Sequence, residues 1–295
     1  MAKISHQELL DAGVHFGHLR RKWNPKMLPY IFAEKKGIHI IDLNRTIDKL
    51  DEAAAAVKAM AKAGKKILFV ATKKQAKEVV KEAATRVNMP YVTDRWLGGM
   101  LTNFPTIRKS VKKMQSIEKM LADGTLESVT KKEKLVLSRE KEKMERVLGG
   151  IAAMNRAPSA VFLVDITHEH IALKEAQRLN INTFGIVDTN SDPTKVDFAI
   201  PGNDDASKSI YILTNFIADA IAEGLAERAT DGKDEAEEED SNADNFERVA
   251  GLEDGGDGKK EGGRGRGRSG SGGGSGRSRI GGGTGNRGGA GAPKR

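Results

Sequence analysis

Four short runs of apolar and β-branched residues stand out in the hydrophobic and polar pattern of the chain. They are residues 38–41 (IHII), 67–70 (ILFV), 161–164 (VFLV) and 183–187 (TFGIV). Each run is apolar at almost every position rather than at every second one, which is typical of strands that are covered on both faces. We therefore expect these four runs to be buried β-strands.

Segments with helical character lie between these runs. Residues 51–63 are rich in alanine and end at Gly64, a residue type that commonly terminates helices. Residues 73–87 place their apolar side chains on one helical face, and residues 168–179 follow the third run with Thr167 as the predicted N-cap. The alternation of strands and helices predicts an α/β fold with a mostly parallel sheet and helices on both sides.

The region from residue 105 to residue 148 breaks this alternation, because it contains no strand-like run. Apolar residues follow helical spacing on both sides of Asp123-Gly124, a dipeptide typical of turns. They are Ile107, Val111, Met114, Ile117 and Leu121 before it, and Leu137, Met144, Leu148 and Ile151 after it. The pattern predicts an antiparallel helical hairpin, a coiled-coil-like arm inserted in the α/β domain. Cations occupy its outer positions, at Arg108, Lys109, Lys112, Lys113, Lys131, Lys132, Arg139, Lys141 and Lys143.

The composition changes sharply after Thr230. Residues 231–261 contain 13 acidic and 4 basic residues, whereas residues 262–295 are rich in glycine and contain 8 basic residues and no acidic ones. Such segments bury too little apolar surface to offset the entropy lost on ordering, so we expect a disordered tail over residues 231–295. Its arginine–glycine tract, with Arg264, Arg266 and Arg268, suits contact with RNA, and a solubilising linker is the alternative interpretation.

The overall charge indicates an anionic partner. The 295 residues carry a formal net charge of +8, and the two tail blocks nearly cancel, so the basic excess belongs to the first 230 residues. Nucleic acid is the commonest partner of such a protein. The chain has no cysteine, which excludes disulfides and thiolate metal sites. Since it shows no signal peptide and no apolar stretch near about 18 residues, we expect a cytoplasmic protein with no membrane partner.

The chain lacks the motifs of nucleotide-dependent enzymes. The strand that ends at Val70 is followed by Ala71-Thr72-Lys73 rather than by GxGxxG or GxxxxGK[ST]. The bare glycine backbone that would let a pyrophosphate approach a helix is therefore missing. No GxSxG nucleophile motif is present either. We expect no catalytic site, no cofactor and no small-molecule substrate, although an α/β enzyme, such as a nucleotide-dependent transferase, is the alternative that the sheet alone allows.

Three groups of residues were weighed as metal ligands. His15 and His18 have i, i+3 spacing but no obvious partner ligand, and a structural or RNA-contacting role is favoured for them. His168 and His170 lack the i, i+4 spacing of helical zinc ligands. Asp188 ends the fourth run and Asp204-Asp205 follow soon after, where carboxylates at the edge of a sheet can hold Mg²⁺. Asp204 and Asp205 also precede a predicted helix. Acidic side chains at the start of a helix interact favourably with its macrodipole. The sequence favours this second role, and we predict no metal site.

Two stretches combine cations with a tryptophan. They are residues 19–27 (LRRKWNPKM), which contain Trp23, and residues 94–103 (DRWLGGMLTN), which contain Trp96. Cations neutralise phosphates, and an aromatic face can stack on an unpaired base. Core packing is the favoured interpretation for Trp96. For Trp23, which cations flank, core packing and RNA contact are equally supported.

Several motifs in the same order resemble the bacterial ribosomal protein S-two family over about the first 230 residues. They are residues 10–18 (LDAGVHFGH), 23–27 (WNPKM), 30–32 (YIF), 37–43 (GIHIIDL), 95–103 (RWLGGMLTN) and 162–165 (FLVD). The resemblance implies a flavodoxin-like or Rossmann-like α/β domain over residues 1–103 and 150–230, with a helical hairpin inserted at residues 104–149. The tail departs from the shorter pattern of the family, so no function is carried over to it.

The resemblance also implies a structural, non-catalytic constituent of the small ribosomal subunit. Its partners would be small-subunit rRNA near the head–body junction, on the solvent side, and neighbouring small-subunit proteins, including the mRNA-capturing ribosomal protein S-one. A scaffold that docks a translation factor is a further, compatible hypothesis. Motif and charge together predict RNA contacts at Arg20, Arg21, Lys22, Trp23, Lys26, Lys35, Lys36, Lys73, Lys74 and Arg95, and on the arm at Arg108, Lys109, Lys112 and Lys113.

Overall fold

The computed structural model describes residues 4–122 and 130–250, with side chains described up to residue 230. The chain divides into two units, Met1–Asn242 and Ala243–Arg295. In the second unit the structure describes only residues 243–250, which are helical. The strands are β1 (Phe16–Leu19), β2 (Ile31–Lys35), β3 (Ile38–Ile41), β4 (Ile67–Val70), β5 (Tyr91–Val92), β6 (Ala160–Val164), β7 (Asn182–Val187) and β8 (Phe198–Pro201). The helices are α1 (His6–Asp11), α2 (Leu43–Lys62), α3 (Lys77–Arg86), α4 (Phe104–Ala122), α5 (Lys131–Leu148), α6 (His170–Arg178) and α7 (Ser207–Ala250).

A five-stranded parallel sheet lies at the centre of the first unit, in the order β5-β4-β6-β7-β8. All four strand pairs are parallel, and Phe69, Phe162 and Phe184 are in register across β4, β6 and β7. Every residue of β4 and β6 is buried, which agrees with the continuous apolar runs in the sequence. The prediction of an α/β fold with a parallel sheet is confirmed.

Helices cover both faces of this sheet. One face packs Phe69 and Phe162 against α2, α3 and α7, and the other packs Leu68 and Leu163 against α4, α6 and the segment around Trp96. Successive strand residues point to opposite faces, so each strand contributes to both cores. Burying one such Phe or Leu side chain stabilises the fold by roughly 1.5–3 kcal/mol.

The first apolar run, residues 38–41, is a strand but does not belong to the parallel sheet. It is β3, the central strand of a separate antiparallel sheet in the order β1-β3-β2. Only two of its four side chains are buried, including His39, because only one face is covered. This sheet is tied to the end of β7, since Asn24 N donates to Thr189 O (2.8 Å) and His18 N donates to Thr189 Oγ1 (2.8 Å).

The helix boundaries differ from the prediction where the loops have structure of their own. Helix α2 begins at Leu43 rather than at residue 51. Gly64 follows its end in a left-handed conformation (φ +69°), in agreement with the predicted helix end. Thr167 is not the N-cap of α6, so that prediction is wrong. The cap residue is Glu169, and the Asp165 carboxylate instead accepts the backbone N–H groups of Thr167 and His168, which forms a turn before the helix.

Helices α4 and α5 pack against each other in the region that interrupts the alternation of strands and helices. The predicted stripe on α4 is buried, since Ile107, Val111, Met114 and Ile117 are at most 9% exposed. Two ion pairs join the helices, Lys113 to Glu140 (2.5 Å) and Lys141 to Glu118 (2.9 Å). The predicted turn at Asp123-Gly124 lies outside the described residues.

Helix α7 combines a core segment with the start of the acidic block. Residues Ser207–Thr230 are long and apolar enough to cross a membrane, but more than half of their most apolar part is buried within the fold. We therefore interpret this segment as the core helix of the α/β domain. The helix continues over residues 231–250, where the sequence predicts disorder. Alanine, glutamate and lysine are good helix formers, and extending an existing helix costs less than nucleating one. Residues 251–295 lie outside the described part of the chain.

Candidate nucleic-acid interface

The antiparallel sheet carries a tight hairpin with two lysines at its tip. Lys36 (φ +53°) and Gly37 (φ +76°) both adopt left-handed conformations between β2 and β3. Two consecutive residues with positive φ are typical of a type I′ turn, whose twist matches that of the paired strands. The turn leaves the side chains of Lys35 and Lys36 exposed at the end of the hairpin.

A second basic segment packs beside this hairpin. Residues Arg20–Lys22 form a 3₁₀ turn directly after β1, and Arg20 N donates to Gly37 O at 3.0 Å. This backbone contact joins two segments that the sequence separates, and we call the result the basic surface: Arg20, Arg21, Lys22, Lys35 and Lys36. All five side chains are exposed. Arg20 pairs with Glu34 at 3.3 Å, but such a solvent-exposed pair holds the arginine only weakly.

Trp23 lies beside the basic surface and is half-buried. Its ring centroid is 5.1 Å from that of the buried His39, with the planes tilted by 42°. Together with Leu19, Arg20 and Gly37, Trp23 lines an open depression on the protein surface. The structure thus gives the ring one partner inside the protein and leaves part of it accessible.

Two exposed apolar side chains near this surface were not selected by the sequence argument. Phe32 in β2 is 75% exposed and Leu28, just before β2, is 64% exposed. Phe32 lies in the strand that ends at Lys35, and an exposed aromatic ring is suited to stacking on a base. The YIF motif at residues 30–32 is the sequence feature that points to Phe32. The motif alone does not show that this segment is an edge strand of an antiparallel sheet, where the ring is exposed.

The loop that carries Arg95 is built around the buried Glu175 of α6. The Glu175 carboxylate accepts hydrogen bonds from Trp96 Nε1 (3.1 Å), from the backbone N–H groups of Gly99 (2.7 Å), Leu101 (3.0 Å) and Thr102 (3.1 Å), and from Thr102 Oγ1 (3.1 Å). Burial alone would raise the pKa of Glu175, but these donors outweigh it and lower the pKa. Trp96 is 8% exposed, so the interpretation of this residue as core is confirmed. Arg95 itself is exposed.

A cluster of charged residues lies where the parallel strands end. Lys73 follows β4, Asp165 follows β6, Asp188 follows β7 and Asp204 follows β8. The Lys73 ammonium contacts Asp165 (2.6 Å), Asp204 (3.0 Å) and Asp205 (2.9 Å). We call this group, together with His18, the strand-end cluster. His18 enters from β1, and its Nδ1 is 2.9 Å from Asp188 Oδ2.

Burial and mutual repulsion shape the charges in the strand-end cluster. Burial, followed by the negative charges of Asp165 and Asp188, raises the pKa of Asp204 to about 7, against the opposing effect of Lys73. The hydrogen bond to Asp188 raises the pKa of His18. Burial would lower the pKa of Lys73, but the surrounding carboxylates outweigh it and raise the pKa. From the sequence, Asp188, Asp204 and Asp205 are expected near one another, and His18 is a candidate ligand only beside His15; Asp165 carries no sequence signal.

The remaining residues predicted to contact RNA fall into two groups: those whose side chains bind other parts of the protein, and those whose side chains are exposed. Four of them have partners within the protein: Lys73 in the strand-end cluster, Lys26 with Asp192 (2.7 Å), Arg108 with Met154 O (2.9 Å) and Asn155 (2.7 Å), and Lys113 with Glu140. Lys74, Lys109 and Lys112 are exposed. Arg264, Arg266 and Arg268 lie outside the described residues.

Comparison with known proteins adds an independent observation. Residues 9–224 match the family model for ribosomal protein S2. The chain is 63% identical over 238 residues to the small ribosomal subunit protein uS2 of Cytophaga hutchinsonii, an alignment that covers 81% of this chain and 94% of the relative. It is 61% identical over 228 residues to that of Porphyromonas gingivalis, covering 77% of this chain and 81% of the relative.

The chain belongs to the ribosomal protein S2 family. This is a family of structural ribosomal proteins without enzymatic activity, so the expectation of a non-catalytic protein is confirmed and the enzyme alternative is set aside. The S2 family match contains the basic surface, the Glu175 loop and the strand-end cluster, and it ends at residue 224 within α7.

Proposed function

We propose that the protein is a structural constituent of the small ribosomal subunit, acting in translation in the cytoplasm, which binds small-subunit rRNA through the basic surface. Membership of the ribosomal protein S2 family and the names of the relatives support the assignment to the small subunit. By resemblance to the family, we further propose that this contact lies near the head–body junction and that the mRNA-capturing ribosomal protein S-one docks on the protein.

The observation that carries the RNA-binding proposal is the convergence of five exposed cations from two separate segments. Arg20–Lys22 and the hairpin tip meet through the hydrogen bond from Arg20 N to Gly37 O. Each cation that neutralises a phosphate releases a counterion, so five contacts make binding steeply dependent on salt. The half-buried Trp23 and the exposed Phe32 add flat surfaces on which unpaired bases can stack.

The helices α4 and α5 form a second part of the proposal, as an arm that extends the RNA contact. Lys109 and Lys112 are exposed on α4, whereas the buried stripe of the same helix faces inward. Lys113 and Lys141 instead hold the two helices together through ion pairs. We assign Lys109 and Lys112 to phosphate contact, together with Lys74 and Arg95, and we give Lys73 a structural role.

The decisive variant reverses two charges of the basic surface, Arg21→Glu with Lys22→Glu. Loss of two phosphate contacts should weaken binding to small-subunit rRNA and flatten the slope of log K against log salt by about 1.4–1.8. The matched control is Lys65→Glu with Lys66→Glu, an exposed pair just before β4, at the opposite end of the strand from the cluster. Binding is measured by filter retention at several salt concentrations.

Incorporation is measured in parallel by sucrose-gradient fractionation at low and high magnesium. The unaltered protein should migrate with the free small subunit and with whole ribosomes, and the Arg21/Lys22 variant should shift toward the top of the gradient. Equal salt slopes and equal incorporation for the variant and the control would count against the basic surface. A peak of the unaltered protein only at the top would overturn the ribosomal role. Recovery of S-one with the protein from RNase-treated lysate tests the docking step.

A further inference from the structure

The strand-end cluster contains three side chains arranged as metal ligands. His18, Asp188 and Asp204 each offer one donor atom, and these atoms lie within 4.8 Å of one another. They come from β1 and from the ends of β7 and β8, so their proximity is a product of the tertiary structure. Asp188 and Asp204 are 1% and 0% exposed, and His18 is partly buried.

One atom in this group has unfilled bonding capacity. Among the side chains that the structure describes, Asp204 Oδ2 is a buried oxygen without a hydrogen-bond partner, although Oδ1 of the same carboxylate accepts from Lys73 at 3.0 Å. Leaving a buried carboxylate oxygen unpaired is costly, because it loses water without gaining a donor. The orphaned oxygen therefore indicates that an additional positive group belongs beside Asp204.

The charge of the cluster points to the same conclusion. The cluster contains four carboxylates, Asp165, Asp188, Asp204 and Asp205, and one lysine, which contacts three of them. Even a protonated His18 leaves an excess of negative charge, most of it buried. Buried charges are normally paired or bound to metals. Lys73 pairs with Asp165, Asp205 and one oxygen of Asp204, whereas the Asp188 carboxylate is bonded to His18 and to Thr189 and lies close to the Asp204 carboxylate.

We propose that His18, Asp188 and Asp204 bind one divalent cation of the zinc class, at the junction of the parallel and antiparallel sheets. One imidazole nitrogen and two carboxylate oxygens are a ligand set that zinc accepts, with water or Asp205 completing the shell. Ligands about 2.0–2.2 Å from zinc lie about 3.4 Å apart in a tetrahedron. Since the three donor atoms lie within 4.8 Å of one another, they need to move closer by at most about 1.4 Å. Magnesium is disfavoured because it binds oxygen ligands and rarely accepts imidazole.

The cation would connect the RNA-facing sheet to the core. His18 is followed by Leu19 and then by the Arg20–Lys22 turn of the basic surface. A metal bond to His18 therefore fixes the start of that surface relative to β7 and β8. The inference concerns a site inside the protein and is independent of the proposed RNA contacts, so either one can fail without the other.

The test measures zinc bound to the isolated full-length chain, by equilibrium dialysis against chelator-buffered Zn²⁺ with elemental analysis. We expect one zinc per chain, and an affinity at least about 100-fold lower in His18→Gln and in Asp204→Asn. The control His6→Gln changes an exposed histidine outside the cluster and should bind normally. Zinc binding outside the cluster should be weak, because the chain has no cysteine and only six histidines.

Thermal unfolding provides a second measurement. Zinc at 100 times its dissociation constant should raise the unfolding midpoint of the unaltered chain by roughly 5 °C. The same zinc concentration should leave the midpoints of His18→Gln and Asp204→Asn unchanged. Asp204→Asn preserves shape and removes a buried charge, so circular dichroism should show that it folds. Absence of zinc binding by the unaltered chain, or equal binding by a folded Asp204→Asn variant, would overturn the proposal. Magnesium binding as tight as zinc binding would contradict the assigned metal class.

Discussion

Replacement of Glu175 by glutamine should destabilise the protein severely although it removes only one charge. The carboxylate is 9% exposed and accepts five hydrogen bonds, two at Oε1 and three at Oε2. A glutamine side chain offers one oxygen and one NH₂ group, and NH₂ cannot accept a hydrogen bond. In its better orientation the oxygen faces Leu101 and Thr102, and the NH₂ group then faces the donors of Trp96 and Gly99.

The magnitude follows from the two donors left without an acceptor. A buried donor without a partner costs about 1–3 kcal/mol, so Glu175→Gln should lower the free energy of unfolding by about 4 kcal/mol. That is a large fraction of the roughly 5–15 kcal/mol by which a folded domain is stable. The matched control is Glu82→Gln, an exposed position on α3, which should change stability by less than about 0.5 kcal/mol.

The effect of pH separates this explanation from a general packing defect. Because the folded state lowers the pKa of Glu175, the ionised carboxylate contributes stability above its unfolded pKa of about 4.3. That contribution is lost as the pH falls through the lower folded value. The stability difference between the unaltered protein and Glu175→Gln should therefore be full at pH 7 and narrow below about pH 4.

The assay is guanidinium unfolding of the full chain, followed by circular dichroism and by tryptophan fluorescence, at several pH values. A lower transition midpoint with an unchanged m-value would show a change in stability rather than in compactness. A loss smaller than about 1 kcal/mol at pH 7, or a difference that does not narrow in acid, would refute the reasoning.

Two further substitutions test the pairing of buried charges around Lys73 and the close backbone contact at Gly224. Lys73→Met leaves buried carboxylates without their main cation and should lower the free energy of unfolding by about 3–5 kcal/mol in the same assay. The neighbouring Lys74→Met should leave the free energy of unfolding unchanged and weaken rRNA binding. Equal stability of the two variants would contradict the structural role of Lys73. Gly224→Ala would place a Cβ atom 2.5 Å from the backbone oxygen of Lys58 and should lower the free energy of unfolding by about 1–3 kcal/mol. Its control is Gly98→Ala, whose added Cβ atom meets no atom within 4 Å and should leave the free energy of unfolding unchanged.

The central strands were predictable because their signal is local. Residues 67–70, 161–164 and 183–187 are apolar at nearly every position, and a segment of that kind can only be satisfied when both of its faces are covered. The same logic identified the buried stripe of α4 and the core position of Trp96. Residues 38–41 carry a similar run, but its pairing partners decide its sheet, and a run of four residues does not contain that information.

The candidate sites depend on contacts between distant segments. Arg20 and Gly37 are joined by one backbone hydrogen bond, and His18 meets Asp188 across 170 positions of sequence. Parallel strands bring their carboxyl ends to one edge, which is why Lys73, Asp165 and Asp204 converge there although each looks like an ordinary loop residue.

The α/β class, the helical pair within it and the basic character of the surface can therefore all be predicted from sequence, because hydrophobic periodicity and charge are properties of short segments. Only the tertiary structure decided which cations are available to a partner. Lys73 and Lys74 are adjacent and chemically identical, yet the first is enclosed by three carboxylates and the second is exposed. The difference arises because the loop after β4 turns one side chain toward the ends of its neighbouring strands and the other toward solvent.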